Sequence, residues 1–333
     1  MIPAPQASAL PTLRAVDPSP AGPRADLRGA ELARAPLSGD DLSGADLREA
    51  KLAGADLRGA CLVHADLRGA DLSGALLDGA ELLGAKLEGA NLEGAQARQA
   101  GFGGASLRGI RGFGLKAPGA SFVGAVLDDA DLRSAELEGA TLTGAQLKNA
   151  ELTRAVLREA DLVGAEARGA RFVEVDFRGA RLRGLRGFAR ASFLRADVRD
   201  VDFAGAYLVR RHILDENYLE EFRAQSRWHR VLYTLWWLSS DCGRSLGRWA
   251  LLLAGVVALF GRLFAGLPLD YAHATPLAPY YFSLVTLTTL GFGEIVPSTT
   301  TGQALVMVEV SIGYLLLGGM LSIFTNKMAR RAE

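Results

Sequence analysis

A leucine that returns every fifth residue constrains this 333-residue chain more than any other feature. The series opens with Ala25-Asp26-Leu27-Arg28-Gly29 and Ala30-Glu31-Leu32-Ala33-Arg34. It continues through Leu42, Leu47, Leu52, Leu57, Leu62, Leu67 and Leu72, and recurs from Leu132 to Leu162. Alanine usually stands two places before the leucine, while Asp, Glu, Lys, Arg, Gly and Ser fill the other positions. A period of five matches neither the 3.6 of a helix nor the 2 of a strand. A short unit repeated over this length buries its apolar residues by stacking on its own copies, which is a solenoid.

The A-[DN]-L-x-x pattern resembles the pentapeptide-repeat family. The resemblance implies a right-handed quadrilateral β-helix with four repeats per coil, its leucines (or phenylalanines) and preceding alanines pointing inward. Residues 25–208 would then form about nine coils stacked about 4.8 Å apart. Two similar stretches interrupt the pattern: Leu107-Arg108-Gly109-Ile110-Arg111-Gly112-Phe113 and Leu182-Arg183-Gly184-Leu185-Arg186-Gly187-Phe188. Both read as corner loops, and after the second the register moves by one residue, to Phe193, Val198 and Phe203. An interior of Leu, Phe and Ala leaves no pocket for chemistry. The surface mixes acids with arginines, and the formal net charge is zero. A long face of one sign, as a nucleic-acid partner or DNA mimic needs, is missing.

Residues 1–24 carry six prolines and read as a disordered leader without the apolar core of a secretory signal. The two cysteines, Cys61 and Cys242, form neither a disulfide framework nor a metal cluster, and Cys61 reads as a surface thiol. Residues 209–245 read as a helical cap and linker. Ile213, Leu214, Tyr218, Leu219 and Phe222 recur at helical spacing and would cover the open end of the solenoid, with Leu208 closing its last repeat. Trp228, Tyr233, Trp236 and Trp237 among Arg227 and Arg230 have the composition of a helix at a membrane interface, and equally of packing between two domains.

The region 246–333 is different in kind. Leu246–Leu267 and Gln303–Thr325 are each near the roughly twenty residues a bilayer requires. Between them Pro279–Thr289 reads as a short re-entrant helix whose C-terminal dipole points its negative end at a cation. The loop Thr289-Leu290-Gly291-Phe292-Gly293-Glu294 follows. Glycines at alternate positions allow backbone conformations in which successive carbonyl oxygens face one axis and replace an ion's hydration shell.

This loop resembles that of the potassium channel family, whose filter reads T-V-G-Y-G-D. Leu290, Phe292 and Glu294 take the places of valine, tyrosine and aspartate. The resemblance covers about residues 250–325 and implies an all-α, two-transmembrane pore built as a homotetramer in a lipid bilayer. Potassium is the permeant ion and no further cofactor is implied. The filter would be Thr289, Leu290, Gly291, Phe292 and Gly293, with K+ at the first four. Glu294 would ring the outer mouth, Gly313 would be the gating hinge, and Tyr314, Leu317 and Leu321 would line the cavity and gate. Val285 stands where many relatives have a glutamate that braces the filter. Glu309 is an ionisable group inside a span, where it is costly. It is expected to face the pore helix and bond a hydroxyl such as Thr286, or to act as a pH site.

Arg244 and Arg248 precede the first span, and Lys327, Arg330 and Arg331 follow the second, with Arg262 alone between them. Both termini are thus expected in the cytoplasm, in a cell (inner) membrane. No nucleophile and base stand at catalytic spacing, so no enzyme is expected. The expected function is a potassium-selective channel whose solenoid serves assembly, docking of an unknown protein partner, or gating. A cation-nonselective pore and a membrane-anchored scaffold with an inactive pore are the competing readings.

Overall fold

The computed structural model describes residues 25–242, 245–269, 275–288 and 295–329. The leader 1–24, Arg244, Arg330 and Arg331 lie outside them. The chain divides into two compact units, Met1–Glu220 and Glu221–Glu333.

In the first unit every five residues make one bridge and one turn. The bridges are parallel and join residues 20 apart, such as Asp26↔Asp46, Asp46↔Asp66 and Asp66↔Lys86, so four repeats complete a coil. The residue before each leucine bridges to the next coil and the leucine points inward. The fourth residue then turns the corner at positive φ, about 64° at Gly29. Glycine occupies that place in most repeats because a Cβ strains it; Arg34, His64 and Asn149 adopt the same conformation without glycine's freedom. The corner closes by hydrogen bonds such as Ala30 N to Leu27 O at 3.0 Å, and coils are joined by bonds such as Leu27 N to Asp46 O at 2.8 Å. Leu47, Leu57 and Leu137 are fully buried, as are alanines two places before the leucines such as Ala45, Ala55 and Ala135. Phe102 and Phe122, one coil apart, stack in parallel with ring centres 4.9 Å apart.

The first expected corner loop is absent. Residues 107–113 keep bridge and turn without a break: Ser106 bridges Val126 and Arg111 bridges Asp131. The cause is an exchange of volume inside the coil. Gly112 takes the leucine position, and Ile110 and Leu115 take the flanking alanine positions, where both are buried. A Cβ on Gly112 would come within 3.0 Å of Leu132 Cδ2, so neighbouring side chains already fill the space. The second interruption does leave the repeat. Gly187 (φ 70°) leads into a 3-10 helix, Phe188–Arg190, and the next bridge, Arg171↔Ser192, spans 21 residues.

Outside the core, Asp and Arg two residues apart form a recurrent surface pair. Arg58 Nη2 lies 2.7 Å from Asp56 and Arg133 Nη2 2.6 Å from Asp131. The hydrogen bond from Arg48 holds the Asp46 carboxyl down at about 2, and the Arg178 bond holds Asp176 lower still.

Helix α1 (Tyr207–Gln225) follows the last coil. Leu208 therefore belongs to the helix, not to a repeat, and is exposed. The expected apolar stripe is only partly used: Val209 and Ile213 are buried, whereas Leu214 and Tyr218 are exposed. Polar groups do the rest. Glu216 accepts from Ser192 Oγ and from the Phe193 backbone N–H, both at 2.7 Å. Asn217 accepts from Arg195 N at 2.6 Å and donates to Phe193 O at 3.2 Å. A terminal coil exposes unpaired backbone groups, and these side chains satisfy them.

The second unit holds α2 (Arg227–Ser240), α3 (Leu246–Ala265), α4 (Ala278–Leu287) and α5 (Thr300–Ala329); α3, α4 and α5 pack around Phe260, Phe264 and Phe282, and α2 lies against α3. Phe264 meets Phe282 edge to face at 4.9 Å. Ser226 caps α2 and Ser245 caps α3, each accepting a backbone N–H from the first turn.

Candidate pore site

Thr289, Leu290, Gly291, Phe292, Gly293 and Glu294 lie outside the described residues; the structure gives the frame on both sides of them. On the entering side is α4, ten residues long, with Phe282, Ser283, Val285, Thr286 and Leu287 buried. Thr288 ends it, its hydroxyl donating to Leu284 O at 2.7 Å. On the leaving side Gln303 Nε2 donates to Pro297 O at 3.2 Å, and Gly302 N donates to Thr299 Oγ1 at 3.1 Å. The chain after Glu294 is thereby fastened to the start of α5. Gln303 was not expected from the sequence, because a lone glutamine at a helix start has no pattern.

Helices α4 and α5 meet at two levels. Ser283 Oγ donates to Glu309 Oε1. One turn further along both helices, Gly313 lies against the Leu287 carbonyl, into which a Cβ on Gly313 would run. Because both contacts advance by four residues, the two helices run in the same direction here. The partner of Glu309 is thus Ser283 rather than Thr286, which is one turn further along α4, closer to the level of Gly313. Glu309 is fully buried, and its Oε2 has no hydrogen-bond partner among the described residues.

Helix α3 closes the frame. Trp249 Nε1 donates to Leu316 O at 3.1 Å, and the Trp249 ring covers Gly319. Gly261 lies against Tyr280. Small residues at each of these crossings let backbones approach closely, as in helix pairs within membranes. Tyr314 and Leu321 are exposed on the single chain and Leu317 is half-buried. Leu246–Ala265 and Thr300–Thr325 are long and apolar enough to span a bilayer, and only 17% of an 18-residue apolar stretch in each is buried within the chain. A core helix of a soluble protein would be mostly buried, so these apolar surfaces need lipid or further copies to cover them.

The comparisons with known proteins divide along the same line. A family model for ion channels matches residues 249–330, and one for pentapeptide repeats matches in eight copies within residues 25–184. The human voltage-gated potassium channel regulatory subunit KCNG1 is 31% identical over 90 residues, 26% of this chain and 18% of that protein. Two-pore potassium channel 4 of Arabidopsis thaliana is 49% identical over 43 residues, 13% of this chain and 15% of that protein. The chain thus spans less than a fifth of these curated relatives. The solved structure of QnrB1, a plasmid-mediated fluoroquinolone resistance protein, covers 53% of this chain and 94% of its own, with 20% identity and a TM-score of 0.41. The chain therefore carries pentapeptide repeats in its N-terminal part and, over residues 249–330, an ion channel domain similar to those of potassium channels.

Proposed function

We propose that four copies of this chain form a potassium-selective channel through the loop Thr289–Glu294. The observation that carries the reading is a short buried helix between two uncovered apolar helices, leading directly into the sequence T-L-G-F-G-E. One loop cannot surround an ion, so the carbonyls of Thr289, Leu290, Gly291, Phe292 and Gly293 act as rings of four, with the Thr289 hydroxyl innermost and Glu294 outermost. Gly313 has two uses here: it lets α5 lie on Leu287, and it is the position where α5 bends. Tyr314, Leu317 and Leu321 then line the inner cavity. Both termini are cytoplasmic in an inner membrane, and residues 25–206, as a right-handed quadrilateral β-helix, serve assembly, partner docking or gating.

On α2, Trp228, Val231, Leu232, Leu235 and Leu238 form one exposed apolar stripe beside Arg227 and Arg230, which fits a helix lying at the membrane surface.

Flux from potassium-loaded liposomes tests the reading. Potassium flux without sodium flux, lost in Gly291→Ala and retained in Glu294→Gln, is expected. Normal selective flux in Gly291→Ala would sink the filter assignment. The buried Val285, in place of an acid that could brace the loop, favours the nonselective alternative, and equal sodium flux would establish it.

A further inference from the structure

Helix α4 ends at Leu287, just before the loop that opens with Thr289. Any slide or turn of α4 is therefore carried into that loop. Most of what holds α4 fixes neither movement. Phe282 meets Phe264 edge to face, and Tyr280 lies against Gly261. Apolar contacts of this kind are non-directional and tolerate sliding. Gly313 against the Leu287 carbonyl sets how closely α4 and α5 approach. Thr288 turns its hydroxyl back on Leu284 O. Among the described residues, one side-chain hydrogen bond leaves α4 for another element, from Ser283 Oγ to Glu309 Oε1. It sits about one turn before the end of α4, so little of the helix can yield between the bond and the loop.

Ser283 and Glu309 are both fully buried within a single chain, so the bond needs no neighbouring copy. Glu309 has no basic partner among the described residues. Helix α4 holds no Lys, Arg or His. In α3, Arg248 lies at Trp237 and Asp241, and Arg262 is exposed. Lys327 is about five turns further along α5. What Glu309 offers Ser283 is thus an acceptor oxygen, not half of an ion pair. Its Oε2 stays buried without a hydrogen bond, a cost that a leucine in the same place would not carry. A residue that only filled space here would be apolar. We infer that Glu309 is a positioning residue for the filter: through Ser283 it fixes the height of α4 against α5, and so the point from which the loop starts. The inference rests on the channel reading. A filter discriminates ions by the placement of its carbonyls, so loss of the tie loosens selectivity before it abolishes flux.

Ion flux and hydrogen exchange, measured on the full chain in the same liposomes, test this. Glu309→Gln keeps an acceptor on a side chain of the same length and should keep the wild-type ratio of potassium to sodium flux. Glu309→Leu and Ser283→Ala should each lower that ratio about tenfold and quicken exchange at the amides of Val285, Thr286 and Leu287. Combined, the two should lower it no further than Glu309→Leu alone, since both remove the same bond. Losses that add would overturn the inference. So would a fall in Glu309→Gln equal to that in Glu309→Leu, because the charge and not the acceptor would then be at work. If Glu309→Leu does not assemble, Ser283→Ala, which removes one hydroxyl, carries the test. Exchange separates the two readings. Wild-type liposomes without potassium flux remove the channel reading, and exchange alone then decides whether Glu309 holds α4. Selective wild-type flux with the same ratio in Glu309→Leu and Ser283→Ala removes the positioning role alone.

Discussion

The repeat unit and the pore unit solve the burial of apolar residues in opposite ways. In the first, a leucine is covered by the coil above and the coil below, so most of the interior is closed within one chain. In the second, three helices share a small aromatic centre, and Leu251, Met307, Leu315 and Leu321 remain exposed. A fold with a built-in repeat covers its own apolar residues, whereas the helices of the second unit leave apolar faces for lipid or further copies to cover.

The comparison breaks first at the solenoid interior. Leu137→Ala should cost about 2–5 kcal/mol, since the stacked coils cannot collapse around a cavity. It should lower the unfolding midpoint of the repeat unit, read by circular dichroism, without changing the selectivity of the pore. In the pore, Gly313→Val should push α5 off the Leu287 carbonyl at a cost of about 1–3 kcal/mol. That displacement should reduce potassium flux and tetramer recovery together; unchanged flux would show that the crossing is not tight. At the helix–coil junction Glu216→Ala leaves the Phe193 N–H without its acceptor, worth about 1–3 kcal/mol. Hydrogen exchange should then quicken at Phe193 and in α1 while coils near Leu137 stay protected. Trp249→Phe, which removes the bond to Leu316 O, should cost about 1 kcal/mol and leave assembly intact.

The smallest effect is electrostatic. Asp46 is ionised down to about 2, against its ordinary 3.8, so its pairing with Arg48 stabilises the fold at neutral pH. That contribution fades as pH falls from near 4 towards 2, because the unfolded chain takes up protons first. Asp56, Asp66, Asp131 and Asp197 are shifted in the same direction by their own arginines. The β-type signal should weaken over that range and change little between pH 5 and 8. A loss centred near pH 6 would point to other groups.

The sequence is legible where one environment recurs. Each leucine of the repeat sees the same neighbours, so a period of five suffices to separate inside from outside. It was not legible at Gly112, where the missing volume is returned by Ile110 and Leu115 on adjacent sides and by Leu132 in the next coil. A pattern read along one position misses an exchange among three. The junction helix was misread for a related reason. Its apolar spacing suggests a stripe, and the contacts are made by Glu216 and Asn217, whose value lies in backbone groups exposed by the last coil. In the pore, the alternating glycines and the two spans stand out in the sequence. The pairing of Glu309 with Ser283 depends on how far α4 and α5 advance past one another, which spacing along either helix does not encode.

The 20-residue step of the bridges makes the solenoid a ruler with a phase. Removing or duplicating 20 residues between Leu42 and Leu92 would change its length by one notch and return every column, charged or bare, to its own side. Removing five would turn everything beyond the cut by a quarter revolution against what precedes it. The 21-residue step at Phe188–Arg190 is a single off-beat placed after the long regular run and before the junction helix. Length can therefore vary in the regular part without disturbing how Glu216 meets Phe193, while the lone extra residue sets the angle at which the count ends.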